Sequence, residues 1–281
     1  FQEFLDTLLF HPPLDDQITY DKIFSTWDTW GVFQFESDGM KSWLKKLKPN
    51  VFDDLIAMVA LYRPGPMEFI PHYIDRKFGI QEISYGDQEL FDVLKQKYWN
   101  DVLNEEKAKL NVDLSPFMSI TYGVAVYQEQ LMRLVQAMAW FSMAEADNLR
   151  RWVGKKIREV VEKIKIEFIE KAWIYKWYKP ETAQWIYEKM VEPASDYSFN
   201  KSHAACYAYI SYQTAYLKAN YPIEFHAALL RSVEQDTEKL SQFINEIQYN
   251  GIDIKLPSVN HSFEHIAAIK ESIVLGFLSI K

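Results

Sequence analysis

Apolar residues return every three or four positions along most of the chain, which is the spacing of one helix face, and strict alternation is rare. Met40, Trp43, Leu44 and Leu47 make such a face from Gly39 to Leu47, and Pro49 stops it. Phe52, Leu55, Ile56, Val59 and Ala60 predict a second helix from about Val51 to Leu61. Arg63-Pro64-Gly65-Pro66 then forces a rigid turn, because proline disfavours helix in the residue before it. Leu131, Leu134, Val135 and Met138 predict a helix over Tyr127 to Trp140. Ser142 with Glu145 three residues later is a capping-box pattern, so a new helix starts there and runs to Val153, ending near Gly154. Ile157 to Trp177 reads as a long amphipathic helix. Pro180 breaks it, Glu181 to Glu192 forms the next, and Pro193 ends that one.

Asp196 to Asn200 reads as a loop, after which Asn200 or Ser202 caps a helix running to about Asn220. Pro222 opens another to about Val233, and Asp236 caps one ending at Asn250, just before Gly251. Only past Ile252 does the pattern turn to short strands, at Ile252-Asp253-Ile254 and from Ile273 to Phe277. Residues 80–120 are the least patterned. Ser84-Tyr85-Gly86-Asp87 reads as a turn, and the charged stretch Lys95 to Ser119 as an insertion or loop. The expected fold is mainly α, a multi-helix domain with a few short β-strands near the C-terminus. Its expected parts are a lead-in at 1–20, a helical domain at 21–235, and a helix with strands at 236–281.

Composition changes this picture little. A chain of 281 residues, 48% hydrophobic, holds one large domain or two modest ones. The net charge of −8 counts against nucleic-acid binding, but binding follows local charge. From Arg150 to Lys171 eight Lys or Arg stand against four Glu. The single cysteine, Cys206, excludes an internal disulfide and fits a reduced, cytoplasmic setting. The six His and one Cys show no metal-ligand spacing, and no apolar run is long enough to predict a membrane span. Phe1 to Phe10 has neither a signal-peptide pattern nor a Met, so the chain is expected to be part of something longer.

Five constellations carry candidate chemistry. Arg150, Arg151, Lys155 and Lys156 crowd around a helix end, either as a solvated face complementing the negative helix terminus or as a grip for a polyanion. Asn200, Lys201, Ser202 and His203 stand at a helix N-terminus, where free N–H groups attract anions and where Asn200 also caps in the ordinary way. Arg63 is aimed by its two prolines, or merely ends a helix. Tyr122 to Gln130 reads as a short strand entering a helix, with Tyr127 and Gln128 facing a ligand or closing the helix end. Tyr209, Tyr212 and Tyr216 share a helix stripe, the pattern of a core as much as of a base-stacking platform. The adjacent pairs Asp15-Asp16 and Asp53-Asp54 point apart on a regular element and lack metal-pair spacing.

Taken in order, these strings resemble the alpha subunit of bacterial DNA polymerase III, the C-family replicative polymerases. The resemblance rests on Gly31-Val32-Phe33-Gln34-Phe35-Glu36-Ser37, Ala60-Leu61-Tyr62-Arg63-Pro64-Gly65-Pro66, Tyr73-Ile74-Asp75-Arg76-Lys77 and Tyr127-Gln128-Glu129-Gln130. It continues through Leu149-Arg150-Arg151, Gly154-Lys155-Lys156, Phe199-Asn200-Lys201-Ser202-His203 and Leu217-Lys218-Ala219, covering roughly residues 14–235. It implies a fingers domain in which Arg150 and Arg151 approach the triphosphate of the incoming nucleotide (dNTP). Lys155, Lys156, Lys201 and His203 would line the same basic hollow. Arg63, Tyr127, Gln128, Asn200 and Ser202 would position nucleotide or DNA. It also implies template-primer DNA, a sliding clamp and other replicase subunits as partners of the intact protein. Its Mg²⁺ would be held by palm carboxylates. Those are not recognisable here, where Asp6 is the sole candidate, so no catalytic or metal residue is assigned and the isolated piece is expected to be inactive. The chain departs from the family at Asp196 and Ser198, where glycines are usual, and at Trp152, where a small residue is usual. The alternatives are an error-prone C-family paralogue and a non-catalytic helical nucleic-acid-binding or scaffold module.

Overall fold

The computed structural model describes residues 11–153, 155 and 158–280. The first long helix, α1 (Asp38–Leu47), begins where the Ser37 hydroxyl accepts the Met40 N–H, and it buries Met40, Leu44 and Leu47. Next come α2 (Phe52–Leu61) and α3 (Ile70–Lys77), joined through the proline turn, in which Gly65 takes a φ of 97°. These two helices are locked by a buried pair. Lys77 Nζ stands 2.6 Å from Asp54, whose other oxygen accepts the Tyr73 hydroxyl at 3.0 Å. The sequence pattern had not marked α3.

The stretch expected to be an insertion or loop is helical. It forms the end of α4 (Gln88–Lys97), capped by Asp87, and all of α5 (Asn100–Met118). Leu103, Leu110, Leu114 and Met118 are buried on one side of α5, a narrow stripe diluted by charged neighbours. Glu106 belongs to that stripe. It is buried and accepts the Lys179 N–H at 3.0 Å and the Lys109 ammonium at 3.2 Å, so a polar letter conceals an inward position. No strand forms ahead of α6 (Gln128–Ala139); Tyr127 makes only a single parallel bridge to Phe199.

The capping box that opens α7 (Met143–Val153) is present in full. Glu145 accepts the Ser142 N–H at 2.8 Å, and the Ser142 hydroxyl accepts the Glu145 N–H at 3.3 Å. After α8 (Arg158–Lys176), Pro180 starts α9 (Pro180–Ile186). A π-helical turn, Tyr187–Val191, then leads into α10 (Glu192–Tyr197). Pro193 therefore does not end a helix. It sits in the first turn of α10, where a missing N–H costs nothing. The loop expected from Asp196 shrinks to Ser198–Asn200. Three helices follow: α11 (Lys201–Asn220), α12 (Pro222–Ser232) and α13 (Thr237–Tyr249, capped by Asp236). A small sheet follows, and a 3₁₀ turn at Phe277–Ser279 comes after it, so the last expected strand ends at Val274 and not Phe277. In the sheet β1 (Asp253–Lys255) lies parallel to β3 (Ser272–Val274), and β2 (Ala267–Ile269) lies antiparallel to β3 on its other side. The architecture is mainly α, as the periodicity predicts.

Two compact units result. One is Asp53–Ala208; the other takes the chain up to Phe52 and from Tyr209 onward. In the first, α5 to α10 surround Leu131, Leu134, Val135, Met138, Phe168 and Tyr187, all fully buried, and each such aliphatic side chain contributes about 1.5–3 kcal/mol. In the second, Leu230, Ile247 and Ile273 join α12 and α13 to the sheet, with Trp30 against them. Tyr212 and Tyr216 are buried here. The Tyr212 hydroxyl donates to the Pro13 carbonyl at 2.7 Å, so the tyrosine stripe is core at Tyr212 and Tyr216, while Tyr209 is half-buried.

Candidate functional site

The candidate nucleotide- and DNA-positioning residues among the described residues fall in the Asp53–Ala208 unit. The start of α6 and the start of α11 are stitched together. Phe199 N–H donates to Val126 O and Gln128 N–H to Phe199 O, each at 3.0 Å. Gln130 underpins this junction. Its side-chain oxygen accepts the N–H groups of Val126 and Tyr127 at 2.9 Å, and its amide nitrogen donates to Thr121 and to the Phe117 carbonyl. Gln128 reaches Ser198 O at 3.4 Å. Tyr127 is buried with its hydroxyl unpaired, and burial, then Asp53 and Asp54, push its ionisation far above the usual range.

Arg63 ties the proline turn to the same place. Its guanidinium donates to the carbonyls of Ala60 and Tyr197, both at 2.8 Å, and stacks 4.3 Å above the Phe199 ring. Its hydrogen bonds thus hold backbone, and it aims Phe199 rather than standing open.

The α11 N-terminus is met by two side-chain acceptors, the Asn200 amide oxygen and the Glu129 carboxylate. Asn200 Oδ1 accepts the His203 N–H at 2.9 Å, so Asn200, not Ser202, is the cap. Both oxygens of Glu129 accept the Lys201 N–H, at 3.1 and 3.2 Å. A carboxylate at a helix N-terminus is the favourable charge there. The anion that the bare motif invites is in part supplied by the protein itself. The Lys201 ammonium lies 3.4 Å from Asp53 and 5.3 Å above the Tyr127 ring. His203 is exposed, with its ring against Phe199 and Tyr207. A hollow of about 510 Å³ opens beside this end, lined by Tyr127, Glu129, Arg133, Lys201 and Ser202 with Phe117 behind them.

Arg150 and Arg151 share one partner. Asp147 Oδ1 accepts from Arg150 at 2.9 and 3.2 Å, and Asp147 Oδ2 pairs with Arg151 at 2.8 Å. The Arg150 hydrogen bond, above all, holds the Asp147 carboxyl below its usual range. One carboxylate against two guanidinium groups leaves this helix end positive, and exposed Lys155 adds to it. Lys156 lies outside the described residues. α7 follows α6 after Trp140–Ser142 alone and packs along it. Arg150, Arg151 and His203 lie outside the lining of the hollow beside Lys201.

Sequence reasoning gave no site role to Glu129, Gln130, Arg133, Asp53 or Asp147. The first two had a visible signal, a polar pair opening an apolar-striped helix. Asp53 and Asp147 become relevant only through partners brought to them by folding.

Residues 6–173 match the finger domain of the bacterial DNA polymerase III alpha subunit. The chain belongs to that family. Among the relatives of this DNA polymerase III family are alpha subunits from Halalkalibacterium halodurans, Thermus aquaticus and Bacillus subtilis, 42%, 40% and 43% identical over 96%, 96% and 86% of the chain. The chain spans 22%, 20% and 20% of the lengths of these curated relatives. Among the described residues no helix is long and apolar enough to cross a membrane.

Proposed function

We propose that this chain is the nucleotide-gripping fingers of a replicative, template-directed DNA polymerase working in the cytoplasm. The under-neutralised guanidinium groups of half-buried Arg150 and exposed Arg151 at the end of α7 carry the reading. Arg presents a planar fork of N–H donors suited to phosphate oxygens. In the proposal Arg150 and Arg151 meet the dNTP triphosphate, with Lys155, Lys156, Lys201 and His203 adding positive field. Arg63, Tyr127, Gln128, Asn200 and Ser202 hold the segment that presents them. Positive charge placed where the pyrophosphate leaving group develops lowers the barrier to its departure.

Among the described residues no three His, Cys, Asp or Glu side chains come together in a way that could hold a metal ion, so no step is assigned to Mg²⁺ on this chain. The proposal leaves Mg²⁺ to palm carboxylates of the whole polymerase, and DNA, a sliding clamp and other replicase subunits to that whole protein. The chain alone should show no nucleotidyl transfer. In the intact polymerase, Arg150→Ala with Arg151→Ala should reduce kcat/KM for dNTP by roughly 100-fold or more, with only a modest loss of stability because Arg151 is exposed and the Arg150–Asp147 pair is only partly buried. Unchanged kinetics in that double variant would refute the assignment.

A further inference from the structure

A second hollow in the Asp53–Ala208 unit, of about 450 Å³, shares no lining residue with the one beside Lys201. Arg76 is its centre of charge. The side chain is half-buried, and its one hydrogen bond runs from Nη1 to the Tyr122 carbonyl at 3.3 Å. Among the described residues no carboxylate pairs with it, and its Nε is buried without a partner. The indole N–H of Trp185, another lining residue, is also buried and unpaired. Buried donors without acceptors are rare, and a desolvated charge without a counter-ion is costly.

The remaining polar groups point the same way. Lys189 has only a loose 3.9 Å pairing with Glu89, both largely exposed. Asp87, the one carboxylate in the lining, is occupied in capping Leu90 at 2.9 Å. His72 Nδ1 lies 3.2 Å from Gln81 Oε1, which leaves the Gln81 amide nitrogen as a donor. Gly123 keeps the approach open, since a Cβ there would stand 3.2 Å from Arg76 Nη1. Phe69 and Tyr197, with ring centroids 4.5 Å apart at 30°, give the hollow an aromatic side together with Met190.

We propose that this hollow binds a small organic phosphate, its phosphate on Arg76 and Lys189 and a flat apolar group against Phe69 and Tyr197. A nucleoside monophosphate has that chemistry and fits the volume range of small-ligand pockets. None of its contacts belongs to the proposed triphosphate grip, so this site stands or falls independently of it.

The test is titration of adenosine monophosphate into the chain, followed by NMR at the Trp185 indole N–H, identified with Trp185→Phe. The expected result is a saturable shift with a Kd of about 1 mM. Arg76→Gln should weaken it at least about ten-fold and Arg76→Lys less, since the lysine keeps the charge and loses the fork. Exposed Lys189→Gln should weaken it by roughly two- to three-fold, and that variant carries the test if Arg76→Gln does not fold. Adenosine lacking phosphate should give no saturable shift. The proposal is overturned by absent saturation up to roughly 20 mM, by adenosine binding equally well, or by unchanged affinity in every folded variant. Displacement of the monophosphate by a short oligothymidylate would overturn a free nucleotide as the source.

Discussion

Lys218→Met probes a buried charge with three acceptors. The Lys218 side chain is 2% exposed, and its ammonium donates to Asp28 Oδ1 at 2.7 Å, to Asp28 O at 2.9 Å and to Trp30 O at 3.0 Å. Methionine keeps the apolar stem and removes all three donors. Two carbonyls then lose their partner, each at about 1–3 kcal/mol if left dry. The Asp28 carboxylate is 41% exposed and can take up water, so its loss counts for less. Against this, burial lowers the Lys218 pKa despite the nearby Asp28, so removing the ammonium recovers part of its desolvation. The balance is a destabilisation of about 2–3 kcal/mol at neutral pH.

Guanidinium chloride unfolding read through Trp30 fluorescence, identified with Trp30→Phe, measures it for the unit that holds both residues. The pH dependence gives a second sign. A folded pKa below 10.5 means that the wild type gains stability as pH rises through that folded value toward 10.5, and that the gain is lost again as pH falls. Lys218→Met should lack this rise. A loss under about 0.5 kcal/mol, or the same alkaline rise in the variant, would refute the reasoning.

Leu114→Ala should cost about 2–5 kcal/mol in thermal unfolding, because Leu114 is fully buried in α5; a loop residue would cost almost nothing. Glu129→Ala should cost about 1–2 kcal/mol by removing the acceptor at the α11 N-terminus, and an unchanged melting curve would contradict that cap. Backbone and side-chain hydrogen bonds from Ser142, then that from Lys171, hold the Glu145 carboxyl at about 2. Its stabilising contribution is full above pH 4.5 and is lost as pH falls toward about 2. In Ser142→Ala an NMR titration of Glu145 should find the midpoint moved up toward 4.5. In the intact polymerase Asp147→Asn should raise the dNTP KM by about three- to ten-fold through misorientation of two arginines, with kcat less affected.

Periodicity, proline and caps determined a great deal. The extents of α1, α2 and α6 follow closely from their apolar stripes with Pro49 and the Arg63–Pro66 turn, and the starts of α7, α11, α12 and α13 from the Ser142–Glu145 box, Asn200, Pro222 and Asp236, because capping is satisfied within a few residues of chain. The family, too, was legible in short strings such as Leu149-Arg150-Arg151 and Phe199-Asn200-Lys201-Ser202-His203. Long-range packing decided the rest. Glu106 faces inward only because the Lys179 N–H and the Lys109 ammonium meet it there, so α5 was hidden behind its charges. Pro193 opens a helix instead of closing one, directly after the π turn Tyr187–Val191. The Glu129 carboxylate fills an end of α11 that lies 72 residues away in sequence, and Phe199 bridges to Tyr127 across as long a span. Local rules see a few turns of chain, whereas the electrostatics of a site depend on which distant groups folding brings within about 3 Å.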